Sequence, residues 1–261
     1  VVVRVRTKDG IVGYGETQAF PDLGGDHGRY SGNSVAATLD AINSILAQIL
    51  IGRMAADLGA IRSEFDLRLS GHLMTKAALE MAVLDIQGKA SGLPIFRLLG
   101  GKSQESIHVA HTIGIMERAD ALDEATGALS EGCTSLHIKL TGSVDADKSL
   151  VRDIRQLVGP SVLLWVDANQ GYASAGIKGA VSACQELAAA GADIIEQPSA
   201  GLKAMSAITR ACPSTVIADE SLWDPSEAPV ILGAEAADGL SIYVSKSGGI
   251  ASARLTARFC A

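Results

Sequence analysis

The chain has 261 residues, a formal net charge of −7, 48% hydrophobic and 4% aromatic residues, enough for one large domain or two with their own cores. The acidic balance excludes nucleic acid as a default partner, since phosphate contact needs a basic surface, but it leaves room for a small anion in a pocket where local positive charge reverses the sign. No apolar run approaches the ~20 residues of a membrane span, no signal peptide pattern is present, and Cys133, Cys184, Cys212 and Cys260 form no CxxC pair, which suits a reduced cytoplasmic protein with structural thiols.

The chain opens on Val1 inside a strand pattern, without an initiator Met, and stops at Ala261 inside a helical one, so further segments are expected at both ends. Residues 1–6 and 11–16 are apolar or alternating on either side of Lys8-Asp9-Gly10. Asp-Gly is a two-residue turn signal, and a β-hairpin is predicted. Residues 17–33, rich in Gly, Asp and Pro, read as a loop that carries His27, Arg29 and Tyr30. From Ser34 to about Leu69 the pattern is helical in two or three pieces, with Leu39, Ile42, Ile45, Leu46 and Ile49 at helical spacing. A further helix is predicted from about Thr75, with Ala78, Met81, Ala82 and Asp85 along one side, and it ends at Gly92 and Pro94. Residues 1–103 are therefore expected to form an α+β capping domain.

From residue 104 to 261 the organisation changes. Short, nearly continuous apolar runs at 106–113, 134–140, 162–168, 193–197, 215–219 and 239–245 alternate with helical stretches near 118–131, 146–158, 176–191, 202–211, 225–233 and 250–260. Continuous apolar strands between helices predict an α/β parallel sheet covered by helices. A doubly wound sheet binds ligand at one switch point. Here several consecutive strands end in polar residues, which favours a (β/α) barrel with six strands present.

Those strand ends carry a constellation. Asp167 follows Leu-Leu-Trp-Val, Glu196 follows Ile-Ile, and Asp219 follows Val-Ile-Ala. Lys139 precedes the set and Lys246 follows it, at intervals of 28, 29, 23 and 27 residues, about one strand–helix unit each. Alone, Asp167 or Asp219 reads as a helix cap or loop residue, and each lysine as a surface residue. Glu196 before Gln197-Pro198 has no capping role. All five at one structural phase predict strand C-termini that deliver three carboxylates to a hard divalent cation, with two amines beside them for proton transfer.

The motif order His-Ile-Lys139, Asp167-Ala-Asn, Glu196-Gln-Pro, Ala-Asp219-Glu-Ser and Lys246-Ser-Gly-Gly resembles the enolase superfamily, in its muconate-lactonizing and mandelate-racemase branch. Lys76 to Gly101 looks like the helix and turn that join this family's cap to its barrel, and Gly10 to Glu16 is similar to its N-terminal hairpin. The resemblance spans essentially the whole chain. It implies a modified TIM barrel closed by the N-terminal capping domain, with one Mg²⁺ per subunit (Mn²⁺ a possible substitute) on Asp167, Glu196 and Asp219. It implies Lys139 and Lys246 as acid/base partners on opposite faces of a substrate α-carbon. Asn169 and Glu220 become groups that orient ligands or substrate, and the loop with His27 and Tyr30 a source of substrate contacts. A homo-oligomer, dimer or octamer, is also implied.

One position departs from the family pattern. Where the family carries Lys-x-Lys, this chain reads His137-Ile138-Lys139. Period-two geometry sends His137 and Lys139 to the same face, and near pH 7 an imidazole supplies less positive charge than an amine. His137 is either a substrate-site group or a hydrogen-bonding group within the barrel. Other signals read as structural. The Gly10, Gly13, Gly15 cluster lies in a hairpin rather than before a helix, against a dinucleotide fingerprint. Ser247-Gly248-Gly249 could meet a phosphate, but backbone freedom beside Lys246 explains it. His72, His108 and His111 have no metal-ligand spacing.

The function this implies is metal-dependent removal of the α-proton of a small carboxylate through a stabilised enolate. Lysines on both sides suit racemisation or epimerisation of an amino-acid derivative. Muconate-type cycloisomerisation and hydroxy-acid dehydration share the same residues and stay open. A Schiff-base lyase and a non-catalytic binding protein are the readings from other classes.

Overall fold

The alternation in Val2–Arg6 and Val12–Glu16 is realised as strands β1 and β2, paired antiparallel with Val3 opposite Gly15 and Val5 opposite Gly13. The computed structural model describes residues 1–18 and 34–260; His27 and Tyr30 lie outside the described residues. The turn differs from the two-residue form expected. Thr7 N–H donates to Ile11 O at 2.9 Å, Gly10 N–H donates to Thr7 O at 3.1 Å, and Gly10 has φ +94°. Three residues thus close the loop, with glycine in the positive-φ position such loops require. The Thr7 hydroxyl decides this, because it accepts the Ile11 N–H at 2.9 Å and replaces a backbone partner.

The helical stretch after Ser34 divides into α1 (Val35–Ala41), a wider π-helical turn at Ile42–Leu46, α2 (Ala47–Leu50), a 3₁₀ turn at Ala55–Asp57 and α3 (Leu58–Arg68). The Ser34 side chain caps α1 by accepting from Ala37 N–H. Helix α4 (Leu73–Ser91) ends at Gly92, which takes the left-handed cap conformation at φ 67°; α5 (Ile95–Leu98) follows. The hairpin lies directly on α4. A Cβ on Gly13 would sit 2.1 Å from the Ala82 carbonyl oxygen, and one on Gly15 would sit 1.9 Å from that of Ala78. Gly13 and Gly15 therefore allow close strand–helix approach, while Gly10 serves the turn. Val3, Leu46, Ile49, Ile61, Phe65, Ala78, Leu79 and Ala82 form the core of this N-terminal layer.

The second core belongs to a six-stranded parallel sheet. Its strands are β3 (His111–Ile113), β4 (Ser135–Lys139), β5 (Leu163–Asp167), β6 (Ile194–Glu196), β7 (Thr215–Ala218) and β8 (Gly239–Leu240), adjacent in chain order. Between and after them run α6 (Arg118–Ser130), α7 (Val144–Val158), α8 (Gly176–Ala190), α9 (Leu202–Ala211), α10 (Glu227–Gly233) and α11 (Ile250–Ala257). Leu136, Ile138, Leu164, Val166, Ile195, Val216 and Ala218 are fully buried in one cluster with α7, α8 and α9 residues such as Ile154, Leu187 and Ile208. Strand side chains alternate between faces, so His137, Lys139, Trp165, Asp167, Ile194 and Glu196 share the face away from those helices.

All six strands are shorter than their apolar runs, and β3 and β8 are shorter by five residues each. Ile107 and Val109 precede β3 but are 77% and 73% exposed, for the sheet adds no partner before His111. After Leu240 the chain leaves β8 and turns through residues 244–248, which carries Lys246 back toward Asp219. The N-terminus of α11 is already taken. Buried Glu80 of α4 accepts the Ala251 N–H at 3.1 Å and pairs with Arg62 at 2.7 Å. A Cβ on Gly249, at φ +129°, would strike the Glu80 carboxylate. The Ser247-Gly248-Gly249 segment therefore joins the two layers rather than cradling a phosphate.

Candidate active site and metal centre

Parallel register sets the site. Lys139 lies opposite Asp167, and Asp167 opposite Glu196, at the C-terminal ends of β4, β5 and β6. Adjacent strands are about 4.8 Å apart, so three charged side chains on one face must meet. Lys139 Nζ donates to Asp167 Oδ2 at 2.5 Å and to Asn169 Oδ1 at 3.2 Å. Two residues earlier on β4, His137 stacks against its register partner Trp165 with ring centroids 4.8 Å apart. Its Nε2 reaches 3.3 Å from Glu196 Oε2 and 3.8 Å from Asp167 Oδ2.

Asp219 follows the end of β7. Its carboxylate pairs with the Lys246 amine, which also donates to the Asp219 carbonyl at 2.8 Å and to Ser241 O at 3.2 Å, and lies 4.6 Å from the Tyr243 ring centre. Both Lys246 and Asp219 are 0% exposed, while the Lys139 side chain is 25% exposed. The set whose ligand atoms all lie within 4.8 Å of one another is His137, Asp167 and Glu196. Asp219 is outside it, held toward Lys246.

Among the described residues, neither carboxylate oxygen of Glu196 has a hydrogen-bond partner, although the residue is 1% exposed. A buried carboxylate without a partner is costly. Oxygen donors from Asp167 and Glu196 are the ligands a hard divalent ion requires, so the residues present fit such an ion. Burial and then the neighbouring Glu196 charge push Asp167 up to about 6, against the lowering effect of Lys139. Burial, then Asp219 and Asp167, push Glu220 up to about 8.

Asn169 and Glu220 also converge here. Asn169 Nδ2 donates to Glu220 Oε1 at 3.1 Å, and Asn169 N–H donates to Asp167 Oδ1 at 2.8 Å. Asn169 and Gln170 adopt φ of 42° and 68°, strained positions that persist at sites the surroundings over-determine. Two supports of the site are not evident from the sequence. Gln197 is fully buried at φ 36°, accepts the N–H groups of Asp219 and Ser221 on Oε1, and donates to Ser221 Oγ and Ser199 O. Asp147 accepts from Thr141 N–H and hydroxyl, Gly142 N–H and the Tyr172 hydroxyl, which fastens the loop after Lys139 to the loop after Asn169. A polar residue directly after Glu196 was the available signal for Gln197. Asp147 reads as an ordinary acid in a first helical turn. His111 pairs with Glu124 at 3.0 Å, outside the site.

The raised Glu220 has a consequence for stability. The folded state holds its proton up to about pH 8, whereas an unfolded glutamate releases it near 4.5. The contribution of this group to wild-type stability in EDTA is therefore full below about pH 4.5 and is lost progressively up to about pH 8. Glu220→Gln is expected to raise the urea midpoint at pH 8.5 and to do so much less at pH 4.5. An equal change at both pH values would remove the burial argument for this group.

Residues 1–100 match the family model for the mandelate racemase / muconate lactonizing enzyme N-terminal domain, and residues 120–261 match that for the enolase C-terminal domain-like fold. The L-Ala-D/L-Glu epimerase of Bacillus subtilis (strain 168) is 32% identical over 258 residues, covering 97% of this chain and 68% of its own length. The chain spans about two thirds of the length of the curated relatives it matches. The muconate lactonizing enzyme from Pseudomonas putida superposes with a TM-score of 0.91 at 31% identity, over 99% of this chain and 71% of its own. The dipeptide epimerase from Cytophaga hutchinsonii, solved with Mg and the dipeptide D-Ala-L-Val, superposes with a TM-score of 0.89 at 28% identity, over 99% and 68%. No single helix among the described residues is long and apolar enough to cross a membrane.

Proposed function

The chain belongs to the mandelate racemase and muconate lactonizing enzyme branch of the enolase superfamily, and we propose that it epimerises or racemises a small amino-acid derivative, such as an N-acyl amino acid or a dipeptide, by moving the proton on its α-carbon. The observation that carries this reading is the pairing of each lysine with a strand-end aspartate, Lys139 with Asp167 and Lys246 with Asp219, around the Glu196 carboxylate, which accepts no hydrogen bond among the described residues. Epimerisation needs a base on one face of the α-carbon and an acid on the other. In this reading one amine takes the α-proton as the C–H bond breaks and its electrons pass to the carboxylate. The other amine, as ammonium, returns a proton to the opposite face. Asp167, Glu196 and Asp219 would hold Mg²⁺, or Mn²⁺ in its place, which when bound supplies positive charge to the substrate carboxylate and enolate oxygens.

Asp167 and Asp219 orient Lys139 and Lys246, and Asn169 fixes both Lys139 and Glu220. The likeness to a muconate lactonizing enzyme favours cycloisomerisation of a muconate-like diacid as the second reading, in which one lysine suffices. A cytoplasmic homo-oligomer, dimer or octamer, completes the reading.

The test is α-proton exchange in D₂O, followed by NMR, over acylated amino acids, dipeptides, proline derivatives and muconates. The expected result is deuterium incorporation with inversion for one amino-acid class and its loss in EDTA. Lactonisation of muconate without inversion would select the second reading. EDTA-resistant activity with borohydride trapping of substrate on a lysine would replace both with Schiff-base chemistry.

A further inference from the structure

The geometry points to His137 as a direct nitrogen ligand of the divalent ion, which makes this centre a mixed N,O site suited to Mn²⁺, Co²⁺, Ni²⁺ or Zn²⁺ over Mg²⁺; the inference rests on the reading that Asp167 and Glu196 hold an ion. Three buried atoms carry it. His137 Nε2 and both Glu196 carboxylate oxygens have no hydrogen-bond partner among the described residues. The imidazole nitrogen and Glu196 Oε2 approach to 3.3 Å without forming a hydrogen bond. A tautomer with its proton on Nε2 and a well-aimed carboxylate would satisfy both groups, and the side chains do not take that geometry. Instead, ligand atoms of His137, Glu196 and Asp167 all lie within 4.8 Å of one another, with Asp167 Oδ2 at 3.8 Å from the same nitrogen.

Those separations match shared coordination. Donors at 90° around an ion with bonds of about 2.1 Å lie about 3.0 Å apart, and looser centres spread them further. The ring is held for it by Trp165, at 4.8 Å between centroids. A lysine at this position could not serve, since an ammonium has three donors and no acceptor, whereas neutral imidazole is a common metal ligand. Asp219 is turned to Lys246 and lies outside the cluster, so the tightly grouped donors are one nitrogen and two carboxylates. Imidazole favours borderline transition metals, along the order Mn²⁺ < Co²⁺ < Ni²⁺, while Mg²⁺ prefers oxygen throughout.

The test is pulsed electron paramagnetic resonance of the whole chain loaded with Mn²⁺ alone, prepared with ¹⁵N-histidine, beside titrations with Mg²⁺ and Co²⁺. The expected result is a histidine nitrogen coupling that is lost in His137→Gln and His137→Lys but kept in His27→Gln. His137→Gln should also lower Co²⁺ affinity by about tenfold or more while changing Mg²⁺ affinity less, since even outer partners of a ligand are worth about 10- to 100-fold. Saturable Mn²⁺ binding with no histidine coupling, or coupling that survives in His137→Gln, overturns the inference and leaves the ion on Asp167 and Glu196 standing. No saturable binding in the wild type overturns both.

Discussion

Lys139→Arg and Lys246→Arg are each expected to lower interconversion of the two stereoisomers by about 10²- to 10⁴-fold, the range a positioned acid or base contributes, while the chain stays folded. Arginine keeps the positive charge that faces Asp167 or Asp219 but cannot lose its proton near neutral pH. This choice matters most at Lys246, which is fully buried against Asp219. Removing one partner of such a pair costs about 3–5 kcal/mol, and an alanine variant would confuse lost chemistry with lost folding. The two variants should differ in what survives. With the amines on opposite faces, each retains α-deuterium exchange from one stereoisomer only, and the two retain opposite ones. Wild-type interconversion in both variants would remove the lysines from the mechanism. Exchange lost from the same stereoisomer in both would place them on one face and favour the cycloisomerase reading.

Glu196→Gln is expected to act in opposite directions with and without metal. In EDTA the substitution removes a buried carboxylate that has no hydrogen-bond partner among the described residues and that pushes Asp167 upward, so the melting temperature rises. With saturating Mg²⁺ or Mn²⁺, the wild type gains stability by linkage, about 2.7 kcal/mol when free metal is 100 times Kd. The variant, short of a charged ligand, gains far less, and the order of melting temperatures reverses. Scanning both proteins in EDTA and across a metal titration reads the effect directly. Parallel curves for the two proteins would mean that Glu196 binds no ion.

Much of the architecture could be read before any coordinates. Short apolar runs between helical stretches announce parallel strands, because a strand covered on both faces has no polar side to show. The end of α4 was equally legible, where Gly92 supplies the left-handed cap. Strand lengths were harder. The run at 106–113 is a strand only from His111, since strand formation needs a neighbour as well as suitable residues. The hairpin turn uses Gly10, but a side chain, the Thr7 hydroxyl, widens it beyond the two-residue form that Asp-Gly suggests.

The linear order of residues determined by itself which groups reach the C-terminal rim of the sheet. One strand–helix unit per interval puts Lys139, Asp167 and Glu196 at the ends of successive strands, and register then sets them side by side. Tertiary structure alone decided how they divide. Register brings His137 to Glu196 and Asp167, and the turn after β8 carries Lys246 to Asp219 across 27 residues. Gln197 and Asp147 brace the loops between. Such partnerships join strand ends through hydrogen-bond directions and distances, and these exist only once separate segments of the chain are side by side.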